Sequence, residues 1–237
     1  MIIAKIEAVP LRIPFKRGAT SAAAAWGDKN LPAADSLLVK VTTDQGLEGW
    51  GEAFGFRAVA SAKLAVDELI APFCIGRDAA GIAPLMLEIQ KKLHIFGRGG
   101  PLTYGLSAVD IALWDIAGKA AGVALHRLLG GGADLPCYAS LVRYSDASIV
   151  RANVRRAIDD GFSSLKLHEI KLSAIHAARE EAGAEVELML DVNCPWTLYE
   201  ARTRAKELEE FHLQHRKYAP ISPQSLRARG ILPALLL

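Results

Sequence analysis

Cysteine is scarce in this chain: three residues in 237, at positions 74, 137 and 194. An odd, widely spaced set matches neither a disulfide framework nor a tetrahedral zinc site, so a reduced, soluble, cytoplasmic protein is expected. No apolar run approaches the roughly 20 residues needed to cross a bilayer, which argues against a membrane partner. An excess of one charge is missing too, with 28 Lys and Arg against 26 Asp and Glu and a net charge of +2. Nothing in that balance draws the chain to nucleic acid or to an anionic lipid surface. The opening MIIAKIEAVPLRIPF lacks a basic segment followed by an uninterrupted apolar one, so no signal peptide is expected. What is present is 51% hydrophobic and 23% charged residues, enough to build a substantial core.

The organising stretch is residues 161–196. Ser163-Ser164-Leu165-Lys166-Leu167-His168 and Val186-Glu187-Leu188-Met189-Leu190-Asp191-Val192-Asn193 each alternate with period two, as strands with two unlike faces do. Leu165 and Leu167 share one face of the first, Lys166 and His168 the other. Leu188, Leu190 and Val192 oppose Glu187, Met189, Asp191 and Asn193 in the second. Between them residues 172–182 read as a helix with Ile175 and Ala178 inward and Gly183 as its stop. Strand, helix and strand at this spacing predict a parallel βαβ unit with its polar groups at the carboxyl ends. Lys166, His168 and Asp191 then suggest a metal-assisted proton-transfer site. Spacing alone favours the blander reading, an interior Lys166–Asp191 ion pair with His168 capping the strand.

Upstream, residues 2–14, 36–43 and 47–53 predict three strands, the last two joined by the tight turn Asp44-Gln45-Gly46. The segment 17–34 is too long for an ordinary connection and is either functional or mobile. Helices are predicted over 59–70 (inward Leu64, Val66 and Ile70), 83–93, and 101–120 (inward Ala108, Ile111, Ala112 and Ile116). A short helix at 124–129 ends in Gly130-Gly131-Gly132, the expected domain boundary. A buried-type strand over 135–141 and a helix over 147–160 with Val150, Val154 and Ile158 inward lead into Gly161. A last helix is predicted over 197–211.

Several runs in this order resemble the enolase superfamily, in its mandelate racemase and muconate lactonizing branch. They are Gly49-Trp50-Gly51-Glu52, Ser107-Ala108-Val109-Asp110-Ile111-Ala112-Leu113-Trp114-Asp115 with Gly118-Lys119, Leu128-Leu129-Gly130-Gly131, Lys166-Leu167-His168 and Asp191-Val192-Asn193. The resemblance covers residues 1 to about 211. It implies an α+β capping domain at 1–130, a three-stranded antiparallel sheet with helices. An α/β domain follows at 131–237, an incomplete (β/α)8 TIM-type barrel of about three strands.

It also implies Mg²⁺ as cofactor and a small carboxylate substrate, an acid sugar, whose α-proton is removed to give an enolate held by the metal. Dehydration is favoured over racemisation, and a homo-oligomer is expected. Carried over by position, Asp191 matches the first metal ligand and Asn193 the neighbour that meets substrate or metal-bound water. Lys166 and His168 occupy the family's Lys-x-Lys position, with His168 as base, a role suited to its ordinary pKa, and Lys166 beside the substrate carboxylate. An orienting or substrate-binding His168 is the alternative if the base lies on a later strand. Trp26 and Phe54 fall in segments that resemble substrate-covering loops.

The chain departs from the pattern at its end. Residues 136–237 number 102, whereas a whole barrel takes about 250. The family's Glu-Glu-Pro ligand run has no counterpart at 214–220, and Glu209 and Glu210 come too early. A single aspartate holds Mg²⁺ poorly, so a complete catalytic site is not expected here. From about residue 212 the helix–strand rhythm is lost. Codons permitted for Pro220-Ile221-Ser222-Pro223-Gln224-Ser225, read one base earlier, give Asp-Phe-Pro-Pro-Glu, so both a frame shift and a naturally divergent terminus fit. If the remnant is non-catalytic, its fold is expected to persist only by association.

Overall fold

The computed structural model describes residues 1–14, 33–55, 57–132, 134–193 and 195–213. They fall into two compact units, the first reaching Leu135 and the second beginning at Pro136. Trp26, most of the segment 17–34 and the tail from 214 lie outside the described residues.

In the first unit β1 (Ile3–Pro14), β2 (Ala33–Thr43) and β3 (Glu48–Ala53) form an antiparallel sheet in that order. Leu37, Val39 and Val41 alternate along β2 and are fully buried, which sets the register. The turn from β2 to β3 closes with the Gly46 amide donating to Thr43 O at 3.0 Å, and Gly46 sits at φ +77°, where a side chain is strained. Helix α1 (Val59–Leu64) runs through a π-helical segment, Ala65–Ile70, into α2 (Ala71–Cys74). Then come α3 (Ile82–Lys92), α4 (Gly100–Ala121), ended by Gly122 at φ +67°, and α5 (Leu125–Leu128).

α4 lies on β3, and two glycines make that approach possible. A Cβ on Gly49 would lie 2.1 Å from Ala112 O, and one on Gly51 2.0 Å from Ala108 O. Two side chains of α4, one turn apart, then serve the backbone of β3. The Trp50 amide donates to Asp115 Oδ2 at 2.9 Å, and Lys119 Nζ donates to Glu48 O at 2.8 Å and to Asp115 Oδ2 at 2.7 Å. Helix side chains thus supply hydrogen bonds to a strand that, among the described residues, has no neighbour strand on that side.

Two expected core residues face outward. Leu64 is 62% exposed, because it lies two positions from Val66 and cannot share the face that Ala62, Val66 and Ile70 bury at four-residue spacing. Ile111 is 42% exposed, because the stripe that α4 buries is centred on Leu102, Leu106, Val109, Leu113 and Ile116.

In the second unit β4 (Ala139–Ser140), β5 (Ser164–Leu167) and β6 (Glu187–Leu190) form a parallel sheet in that order. Between and after them run α6 (Ala147–Asp159), α7 (Leu172–Ala182) and α8 (Leu198–Leu208). The strand expected over 135–141 is only two residues long, and Leu135 is 81% exposed while Leu141 is buried. Apolar character alone did not distinguish a loop from a strand there. Asp146 caps α6 through the amides of Ser148 and Ile149, and Thr197 with Glu200 forms a capping box on α8. The core gathers Val150 and Val154 from α6, Leu165 and Leu167 from β5, Ile175 and Ala178 from α7, and Leu188 from β6. Met189, placed on the polar face of its strand by periodicity, is buried and registers against Lys166. Arg179 of α7 donates to the carbonyls of Gly183, Val186, Phe211 and His212, tying the start of β6 and the end of the described chain to that helix.

Candidate active site

Because β4, β5 and β6 are parallel, their carboxyl ends lie on one edge of the sheet, and three loops leave from that edge. The ladder ends with the Leu141 amide donating to Lys166 O at 2.8 Å and the Asp191 amide donating to Leu167 O at 2.9 Å. Lys166 on β5, His168 just beyond it and Asp191 just beyond β6 meet there. Lys166 Nζ lies 3.1 Å from Asp191 Oδ2, with the two side chains 12% and 25% exposed. His168 Nδ1 lies 4.0 Å from the same oxygen. Asp191 Oδ1 accepts the Asn193 amide at 3.0 Å, and Asn193 adopts φ +57°, an uncommon conformation for a residue with a side chain.

The electrostatics follow from this crowding. Burial alone would raise the Asp191 carboxyl, but the Asn193 amide and then Lys166 outweigh it, and its pKa is lowered. Burial pushes His168 down; Asp191 opposes that shift while Lys166 and Arg143 add to it, so the ring is held neutral at neutral pH. Asn193 Nδ2 donates to His168 Nδ1 at 3.0 Å, an arrangement that matches a neutral ring protonated at Nε2. Turning the amide by half a turn presents its oxygen instead. Nδ1 then carries the proton, and the lone pair moves to Nε2.

Of the predicted site residues, Lys166, His168, Asp191 and Asn193 come together. Phe54 belongs to the first unit, is 58% exposed and packs edge-to-face on Tyr104 with ring centroids 5.2 Å apart. Trp26 lies outside the described residues. A cavity of about 480 Å³ opens between α3 and α4 in the first unit, and none of its lining residues belongs to the predicted site.

Two residues at the strand ends escaped the sequence reading. Arg143, after β4, donates from Nε to His168 O at 2.8 Å and from Nη2 to Val192 O at 3.0 Å. Glu169 is only 1% exposed and accepts the Tyr144 amide at 2.6 Å and the Ser145 amide at 3.1 Å. Burial raises its pKa against those two hydrogen bonds and the charges of Arg143 and Lys171. A signal was available: period two puts Glu169 on the same face as Leu165 and Leu167, where an acid is costly unless it is satisfied.

Mg²⁺ takes about six oxygen ligands and usually keeps several waters among them. Among the described residues no three His, Cys, Asp or Glu side chains gather around one point. Both oxygens of Asp191 are already engaged, by Lys166 and by the Asn193 amide. These residues do not by themselves fit the ion.

The family model described as "Mandelate racemase / muconate lactonizing enzyme, N-terminal domain" matches residues 15–130, and "Enolase C-terminal domain-like" matches residues 150–215. The chain is 31% identical over 207 residues to a D-galactarolactone cycloisomerase of Agrobacterium fabrum, covering 81% of this chain and 53% of that protein. It is 31% identical over 192 residues to a D-galactonate dehydratase of Pectobacterium atrosepticum, covering 74% of this chain and 49% of that one. A racemase of Streptomyces coelicolor A3(2), solved with bound magnesium, superposes with a TM-score of 0.79 at 27% identity, covering 90% of this chain and 61% of that one. The chain spans about half the length of the curated relatives it matches.

Proposed function

The chain belongs to the enolase superfamily, in its mandelate racemase and muconate lactonizing branch, and from that premise we propose that its second unit carries the acid–base half of a site that removes the proton beside a carboxylate. The observation that supports this most is the convergence of Lys166 and His168 on Asp191 at the carboxyl ends of β5 and β6. The substrate class is an acid sugar, in keeping with relatives named for galactarolactone and galactonate chemistry. Dehydration is the favoured outcome.

In this reading Lys166 sets its positive charge beside the substrate carboxylate. His168, kept neutral by burial, takes the α-proton at Nε2 in the tautomer set by the turned Asn193 amide, whose oxygen accepts the Nδ1 proton and leaves the Nε2 lone pair to the substrate. The electron pair of the broken C–H bond enters the carboxylate as an enolate, whose growing charge the Lys166 ammonium favours. Returned to the β-hydroxyl, the same proton expels water; a racemisation would instead need a proton delivered to the opposite face of the enolate by a second group. Magnesium is the metal of the family, and no step is routed through it here because, of the acids described at these strand ends, Asp191 meets Lys166 and His168 while Glu169 is buried against the Tyr144 and Ser145 amides.

That arrangement supports a second reading, in which the chain is a non-catalytic remnant that keeps its fold only through association. Titration calorimetry of this chain with Mg²⁺ separates the two. Micromolar binding would rule out the remnant, whereas absence of binding would leave it standing. Acid-sugar turnover by a chain read on past Phe211 in the alternative frame tests the first reading, and a panel left wholly unchanged would count against it.

A further inference from the structure

We propose that Arg143 is a positioning residue that fixes the backbone on which His168 and Asp191 stand, and that Glu169 holds Arg143 in place. The functional meaning of this device rests on the proton-transfer reading above; its structural basis does not.

The ladder of the parallel sheet ends at the bonds to Lys166 O and Leu167 O. The carbonyls next in need of partners include His168 O and Val192 O, which belong to the base itself and to the residue between Asp191 and Asn193. Arg143 supplies both donors from one planar group, Nε at 2.8 Å and Nη2 at 3.0 Å. Because the guanidinium is rigid, the separation of those two carbonyls is set by the fork. In effect the arginine adds a rung where the strands splay, and that rung spans the loops carrying the site.

Arg143 needs an anchor, because it sits in a loop. The next two residues provide it: the amides of Tyr144 and Ser145 both donate to the Glu169 carboxylate, and Ser145 takes φ +60° to do so. Successive amides turned inward in this way make a nest for an anion. Lys171 Nζ also reaches Ser145 O of the same turn at 3.4 Å. Glu169 directly follows His168, so the chain that presents the base also presents the anchor. The three loops are therefore linked in a closed circuit, from Glu169 to the 144–145 turn, to Arg143, and back to His168 and Val192.

Amide hydrogen exchange on the chain, read residue by residue with its thermal unfolding, tests this. In Arg143→Met the amides of Asp191 and Asn193 should exchange at least tenfold faster, while those of Leu165 and Leu188 keep their parental rates. Arg143→Lys, which keeps the charge but cannot span both carbonyls, should show the same local loss. Glu169→Gln should loosen the Tyr144 and Ser145 amides first. Uniform change across the second unit, no change at Asp191 and Asn193, or full restoration by lysine would each overturn the proposal. Should Arg143→Met fail to fold, the lysine variant decides by the same criterion. None of these readouts uses turnover, so failure of the proton-transfer reading would leave this result separately legible.

Discussion

Replacing Gly51 with alanine should be among the most damaging single-methyl changes in the first unit. The new Cβ would lie 2.0 Å from Ala108 O, with the Ala108 carbonyl carbon and the Ala112 nitrogen each 2.9 Å away. All three are backbone atoms of α4, so no rotamer change relieves the clash; the helix must retreat by more than about 1 Å to restore ordinary contact. That retreat stretches the Trp50–Asp115 and Lys119–Glu48 bonds, now 2.9 and 2.8 Å. Overpacking costs about 1–3 kcal/mol and each weakened charge-assisted bond about 1 more, so the sum is about 4 kcal/mol. Gly46→Ala is the matched control. It meets no atom within 4 Å but must hold φ +77°, which costs about 1 kcal/mol. Urea unfolding followed by tryptophan fluorescence, with Trp50 and Trp114 as reporters in this unit, measures both. A Gly51→Ala variant within about 1 kcal/mol of the parent would refute the close-approach argument.

Asp115→Ala should destabilise the same unit by about 1–3 kcal/mol, because it removes the acceptor of the Trp50 amide and the partner of Lys119; unchanged urea midpoints would contradict this. Arg77, first, and Lys92 hold Glu88 down to about 2. A carboxyl lowered in the folded state lends stability above its unfolded value, near 4.3, and loses it as pH falls toward 2. Glu88→Gln should therefore flatten the acid limb of the stability profile in that window, and a profile identical to the parent would refute the assignment. Cys74 is fully buried and its thiol is pushed up to about 12 by that burial, whereas Cys137 is exposed. Thiol labelling at pH 8 should modify Cys137 and spare Cys74 until the chain unfolds.

The parallel βαβ unit was legible because the alternation in residues 163–168 and 186–193 and the glycines at 161 and 183 act locally, through pleat and left-handed turns. Helix α7 runs Leu172–Ala182, the residues that spacing predicts. Leu64 and Ile111 were misplaced because a helical stripe can be drawn through several sets of apolar residues, and only the partner surface selects among them. Arg143 and Glu169 went unnoticed for a different reason. Their partners are backbone groups 24 to 49 positions away, and no side-chain pattern records a carbonyl left without a rung. The role of Gly49 and Gly51 was visible only as a motif, and the oxygens of Ala108 and Ala112 supply its physical cause.

His168 is proposed as the proton-transfer group, with Asn193 and Lys166 as its supports. Exchange of the α-proton of acid sugars with deuterated solvent, followed by proton NMR on the chain read on in the alternative frame past Phe211, tests it most directly. His168→Asn keeps approximate shape while removing the base. Exchange is expected in the parent, with a loss of about a thousandfold or more in His168→Asn, in line with removal of a general base. Exchange persisting in His168→Asn at near the parental rate would contradict it, placing the base elsewhere and leaving His168 only an orienting role.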